Sequence, residues 1–108
     1  MDSMSLIYVV CKDDDEARNI GKKLLKNKLC ACVNIIDKIY SLYFCHSKSD
    51  KIQETDKTIL LIKTLKGNFS SINKEVLEMH SHETPCIFSI DIADVDSNYF
   101  NWLSKEMK

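Results

Sequence analysis

The chain has 108 residues and a mass of 12.5 kDa, enough for one domain spanning 1–108 and too little for a catalytic domain plus a regulatory one. Fifteen basic residues against 16 acidic ones leave a net charge of −1, which excludes a bulk electrostatic affinity for nucleic acid or an anionic membrane. With 44% hydrophobic and 29% charged residues the composition is globular rather than disordered.

Leu6-Ile7-Tyr8-Val9-Val10 is a continuous apolar, β-branched run and predicts a strand from Ser5 to Cys11. It is too short for a secretory signal or a membrane span. Asp13 to Lys28 reads as a helix. Asp13 or Asp14 can cap it, acidic residues fill its first turn, and lysines collect toward its end, as the helix dipole favours. Gly21 in mid-helix predicts close packing against a sheet. Cys30 to Cys45 reads as extended chain, His46 to Asp56 as a loop, and Thr58 to Thr64 as a second apolar strand. Gly67-Asn68 breaks the chain before a helix capped by Asn68 or Ser70, on which Phe69, Ile72, Val76 and Met79 form an apolar stripe. His80 to Thr84 is a polar turn. Pro85 opens a strand from Cys86 to Ala93, and Asp96 or Ser97 caps a last helix running to Lys108.

The order β-α-β-β-α-β plus a terminal helix predicts an α+β, ferredoxin-like sandwich with two helices on one face of a four-stranded sheet. Strands with one wet face should alternate apolar and polar residues. Leu6 to Val10, Ile59 to Ile62 and Ile39 to Phe44 are apolar at both parities. About 1,000 Å2 of such surface left in water would forgo about 25 kcal/mol of raw burial, so the second face is expected to pack against copies of the chain. A terminal helix folded back over that face is the simpler alternative.

The five cysteines are odd in number and irregularly spaced, which suits free thiols in the reducing cytoplasm better than a disulfide framework. Cys30-x-Cys32 places two thiols at the same strand parity, a pattern open to a soft metal or to plain core packing. His80-Ser81-His82-Glu83 with Cys86 gathers imidazole, carboxylate and thiol in one turn, a candidate metal or acid/base site and equally a solvated turn. Lys63, ending a buried strand, can bind an anion or reach the rim. Trp102 with Tyr99 fits packing. The single arginine, Arg18, falls within a helix rather than in a phosphate loop, which argues against a phosphatase of this fold.

Several of these pieces resemble the CutA family of divalent-cation tolerance proteins. They are Val10-Cys11; Leu29-Cys30-Ala31-Cys32-Val33-Asn34-Ile35, similar to L-A-A-C-V-N-I; Ser41-Leu42-Tyr43; Ile62-Lys63-Thr64; His80 with Glu83-Thr84-Pro85, similar to H-P-Y-E-x-P; and Tyr99-Phe100-Asn101-Trp102-Leu103, similar to Y-L-x-W-L. The resemblance implies a ferredoxin-like homotrimer without enzyme activity, linked to tolerance of divalent metals. It implies copper, or alternatively zinc, bound by Cys11, Cys32 and His80, with Lys63, His82 and Glu83 as further cleft residues. A signal-sensing or scaffold trimer like the PII proteins, taking a small anion or a partner protein in its clefts, is the alternative it implies. Four departures stand out, the first being Ser81-His82 in place of the family's P-Y after His. The family's Y-x-W-x-G is here Tyr43-Phe44-Cys45-His46-Ser47, the Glu after its Pro is Cys86, and a usual acidic residue before I-K-T is replaced by Lys57 beside Asp56.

Overall fold

The computed structural model describes residues 3–44 and 50–108. Among the described residues the elements are β1 (Met4–Cys11), α1 (Asp14–Lys26), β2 (Cys32–Phe44), β3 (Ile52–Leu65), α2 (Phe69–Met79), β4 (Ile87–Asp91) and α3 (Ser97–Glu106), with a 3-10 turn, Lys66–Asn68, leading into α2. The strands form one sheet in the order β2-β3-β1-β4, with every neighbouring pair antiparallel. The expected β-α-β-β-α-β order is therefore present, with a third helix after it.

One face of the sheet is covered by α1 and α2 over β1 and the inner half of β3, while the β2–β3 hairpin arm beyond them is bare, with Tyr40, Leu42 and Phe44 exposed. Ile7, Val9 and Cys11 of β1 and Leu60 and Ile62 of β3 pack with Ala17, Ile20 and Leu24 of α1 and Ile72 and Val76 of α2 in one buried cluster. Alternation along the strands selects these residues: odd positions of β1 and even positions of β3 face the helices. Gly21 lets α1 approach closely, since a Cβ there would lie 3.0 Å from Val33 Cγ2. Asp13 caps α1 by accepting the Glu16 N–H at 2.9 Å. Asp96 caps α3 through Tyr99 N. Asn68 stands at the N-cap of α2, yet its amide makes no capping bond and turns to Leu29 O and Thr64 Oγ1.

The other face is partly open. α3 lies at the end of the sheet where β3 finishes: Lys63 Nζ sits 5.7 Å from the Tyr99 ring centroid, and Lys28 Nζ reaches Glu106 O. Leu103 is buried there, but Ile36, Phe88 and Ile90 remain exposed. The terminal helix thus shields part of the open face and leaves the rest apolar and wet.

Three expectations are corrected. The segment expected as a loop from His46 to Asp56 enters β3 at Ile52, because Ile52–Lys57 pairs with Ile39–Phe44 in a hairpin arm that outruns β1. Its polar side chains stay compatible with a strand because both faces of the arm meet solvent. Cys45, His46 and Ser47 lie outside the described residues. Cys30 precedes β2 and is buried in the helix-side core, whereas Cys32 pairs with Lys63 on the open face, so the two thiols do not share a strand face. Element ends also contract: α1 stops at Lys26, β4 spans Ile87–Asp91 and α3 ends at Glu106.

A bulge in β2 sets the facing of the strand's second half. Between Ile36 and Ile39 the register shifts by one residue, with Lys38 at φ 61° and Asp37 Oδ1 accepting from Lys38 N and Thr58 Oγ1. An extra residue exchanges the faces of everything beyond it. Even residues of β2 face the open side before the bulge and odd ones after it, which carries Ile39, Ser41 and Tyr43 to the same side as Lys57.

Candidate functional site

Three elements meet where β1 ends. β1 delivers Cys11, the first turn of α1 delivers Glu16, and the residue after α2 delivers His80. A sulfur, a carboxylate oxygen and an imidazole nitrogen from these three all lie within 4.8 Å of one another. The junction is closed: Cys11 is fully buried, and the His80 and Glu16 side chains are 2% and 7% exposed.

Its hydrogen bonds are specific. Glu16 Oε1 accepts from Lys12 N at 2.9 Å and lies 3.6 Å from His80 Nε2, while Oε2 accepts from Ser81 N at 3.0 Å. His80 Nε2 is 2.7 Å from Val10 O, and His80 Nδ1 accepts from His82 N at 3.0 Å. A carbonyl cannot donate and a backbone N–H cannot accept, so the pair of contacts selects the tautomer with the proton on Nε2. Burial raises the Glu16 carboxyl, but the hydrogen bonds from Lys12 and Ser81, with the His80 ring alongside, outweigh it, and the group ends below its ordinary value. Burial, followed by the charges of Glu16 and Asp13, pushes the Cys11 thiol up to about 12. Burial likewise pushes Cys30 to about 12.

Beside this junction, on the open face, lies a cavity of about 540 Å3 between β1, the hairpin arm and the turn after α2. Tyr8, Val10, Ile39, Tyr43 and Pro85 form much of its wall, and Lys57, His80, His82 and Cys86 also line it. Lys57 Nζ is 3.5 Å from His82 Nε2 and 5.6 Å from the centroid of the Tyr43 ring. His80 and His82 meet edge to face with centroids 5.3 Å apart. Burial and then the charges of Lys57 and His80 lower the His82 imidazole below its ordinary value.

Of the residues expected to bind metal, the fold brings Cys11 and His80 together. Cys32 stands on the opposite face of the sheet from Cys11: its strand partner is Lys63, five positions along β3 from the Thr58 that pairs with Cys11. Lys63 lies under Tyr99, far along the strand from the cavity, and Glu83 is exposed on the turn, whereas His82 lines the cavity. Sequence reasoning missed Glu16, which it used as a first-turn acid. The spacing Asp13-x-x-Glu16 is that of a capping box and signals a carboxylate held at the start of the helix. It also missed Tyr43 and Lys57, since the bulge sets their shared side.

The donor set fits a soft or borderline divalent ion: thiolate, imidazole and carboxylate are ligand types for zinc and copper. The carboxylate and the imidazole are already hydrogen-bonded within the protein, so an ion entering here would exchange with the Cys11 proton and with the His80 bond to Val10 O.

Residues 5–106 match the family described as CutA1 divalent ion tolerance protein. A "Protein CutA homolog" of Xenopus laevis is 33% identical over 101 residues, covering 94% of this chain and 65% of that relative's length. A "Divalent-cation tolerance protein CutA" of Archaeoglobus fulgidus is 33% identical over 104 residues, covering 96% of this chain and 98% of the relative. Among solved structures, CutA1 from Ehrlichia chaffeensis superposes with a TM-score of 0.93 at 27% identity, covering 100% of this chain and 98% of that one. A periplasmic divalent cation tolerance protein CutA from Archaeoglobus fulgidus superposes with a TM-score of 0.90 at 32% identity, covering 97% and 99%. Among the described residues no helix is long and apolar enough to cross a membrane.

Proposed function

Because the chain belongs to the CutA1 divalent ion tolerance family, we propose that it serves tolerance of divalent cations as a non-enzymatic homotrimer, and that Cys11, Glu16 and His80 hold a soft divalent ion, copper before zinc. The observation that carries the site is the convergence of one sulfur, one oxygen and one nitrogen within 4.8 Å from three separate elements. Glu16 takes the place that the motif resemblance gave to Cys32. A thiol pushed up to about 12 is protonated at neutral pH. Ion binding would therefore release a proton and tighten as pH rises. The trimer is supported by the apolar open face, where Ile36, Phe88 and Ile90 stay exposed on an isolated chain. The four described cysteines are free, which supports a reducing cytoplasmic location.

Calorimetry and elemental analysis with Cu(II) and Zn(II) test the site. One ion per subunit is expected, with binding lost in Cys11→Ser, weakened in Glu16→Gln and unchanged in Cys32→Ser. Equal binding by Cys11→Ser and the parent chain overturns the assignment. Sedimentation tests the assembly: a stable 12.5 kDa species at micromolar concentration overturns the trimer.

A further inference from the structure

The Lys57 ammonium carries a charge that its described surroundings leave uncompensated. Among the described residues it makes no ion pair with a carboxylate within 4.0 Å. It contacts the His82 Nε2 lone pair at 3.5 Å, to which it donates, and the face of Tyr43. Both neighbours orient a cation without neutralising it. The group stands at the edge of a cavity of about 540 Å3 whose other walls include Tyr8, Val10, Ile39 and Pro85. One end of the cavity is thus cationic and the rest largely apolar and aromatic, the pattern of a small-molecule site with a few orienting polar groups.

We propose that this cavity binds a small organic carboxylate, its charged end on Lys57 and His82 and its apolar or aromatic body against Tyr8, Val10 and Pro85. A monoanion suits the site better than a phosphate. The cavity edge offers one fixed cation and no guanidinium fork, because Arg18, the chain's only arginine, pairs with Asp14 on the exposed side of α1. Lys57 and His82 lie outside the Cys11–Glu16–His80 cluster, and His80 is the residue common to the cluster and the cavity wall.

The test uses the full chain and benzoate as the probe, with benzamidine as its cationic counterpart of similar shape and inorganic phosphate as a competitor. Amide and side-chain NMR should show saturable benzoate shifts at His82 and Tyr43. Affinity should fall about tenfold in Lys57→Gln, the loss of one charge-assisted hydrogen bond, and be kept within about threefold in Lys57→Arg. Benzamidine should leave those signals unmoved. No benzoate shift at these residues, equal affinity in Lys57→Gln, or benzamidine binding as well as benzoate each overturns the proposal. Phosphate displacing benzoate at equal concentration overturns the apolar-carboxylate class. Should Lys57→Gln fail to fold, the benzamidine arm and Lys57→Arg still decide. A failure here would leave cation binding by Cys11 untouched, and the converse holds.

Discussion

The turn after α2 serves two regions of opposite character. His80 closes a dry junction in which both ring nitrogens have backbone partners and the Glu16 carboxylate is held from two sides. Two residues on, His82 lies in an open cavity beside a lysine whose charge is unmatched by any described carboxylate. The first region pins α1, α2 and β1 together and presents the three donors assigned to a cation. The second is built to receive something. The contrast shows that clustered titratable residues do not have one meaning: a closed, hydrogen-bonded cluster takes a ligand only by exchanging bonds it already makes, whereas an open one beside an unmatched charge can take a ligand directly.

The sharpest break of that contrast is Glu16→Ala. It strips acceptors from Lys12 N and Ser81 N inside a closed junction, and an expected loss of about 3 kcal/mol should appear in chemical denaturation at fixed protein concentration. The pH dependence comes from the same group. Its folded carboxyl lies below the unfolded one, so its contribution is complete above the unfolded carboxylate range and is lost as pH falls through the lowered folded value. Melting curves from neutral to acidic pH should show this acid-side loss in the parent chain and a smaller one in Glu16→Gln.

The thiols give the next largest difference. Cys11 and Cys30 are buried and pushed to about 12, whereas Cys86 is exposed in the cavity. Alkylation of the native chain near neutral pH, followed residue by residue by mass spectrometry, should label Cys86 at least about 100-fold faster than either buried thiol. Lys57→Gln should be nearly silent in stability, within about 0.5 kcal/mol, because the half-buried ammonium loses no charged partner. A large destabilisation there would turn the cavity into a second joint. The smallest effect is on His82, whose imidazole should titrate below its ordinary value by NMR and move upward in Lys57→Gln.

Much of the fold was legible because its signals are local. The β-branched run at Leu6 to Val10, the polarity of the α1 charges and the stripe on α2 each reflect a periodicity within one element. The hairpin arm was not legible at Ile52 to Asp56, since its strand character comes from pairing with Ile39 to Phe44 and leaves no burial pattern. The site was half legible. Cys11 and His80 were read from motifs, but Cys30 and Cys32 were given one face by counting parity across a strand start that lies between them. Glu16 was taken as a helix-dipole residue, although its capping-box spacing held the clue.

The sequence by itself determined the order of elements, the core face of each, and the surplus of apolar residues on the far side of the sheet, since these arise from composition and period along the chain. The tertiary structure alone decided that His80 Nε2 would meet a carbonyl 70 residues earlier and that the bulge between Ile36 and Ile39 would bring Tyr43 round to Lys57. Contacts across that distance depend on how separate elements dock, and one inserted residue reverses the faces of a strand; neither leaves a mark in any local repeat.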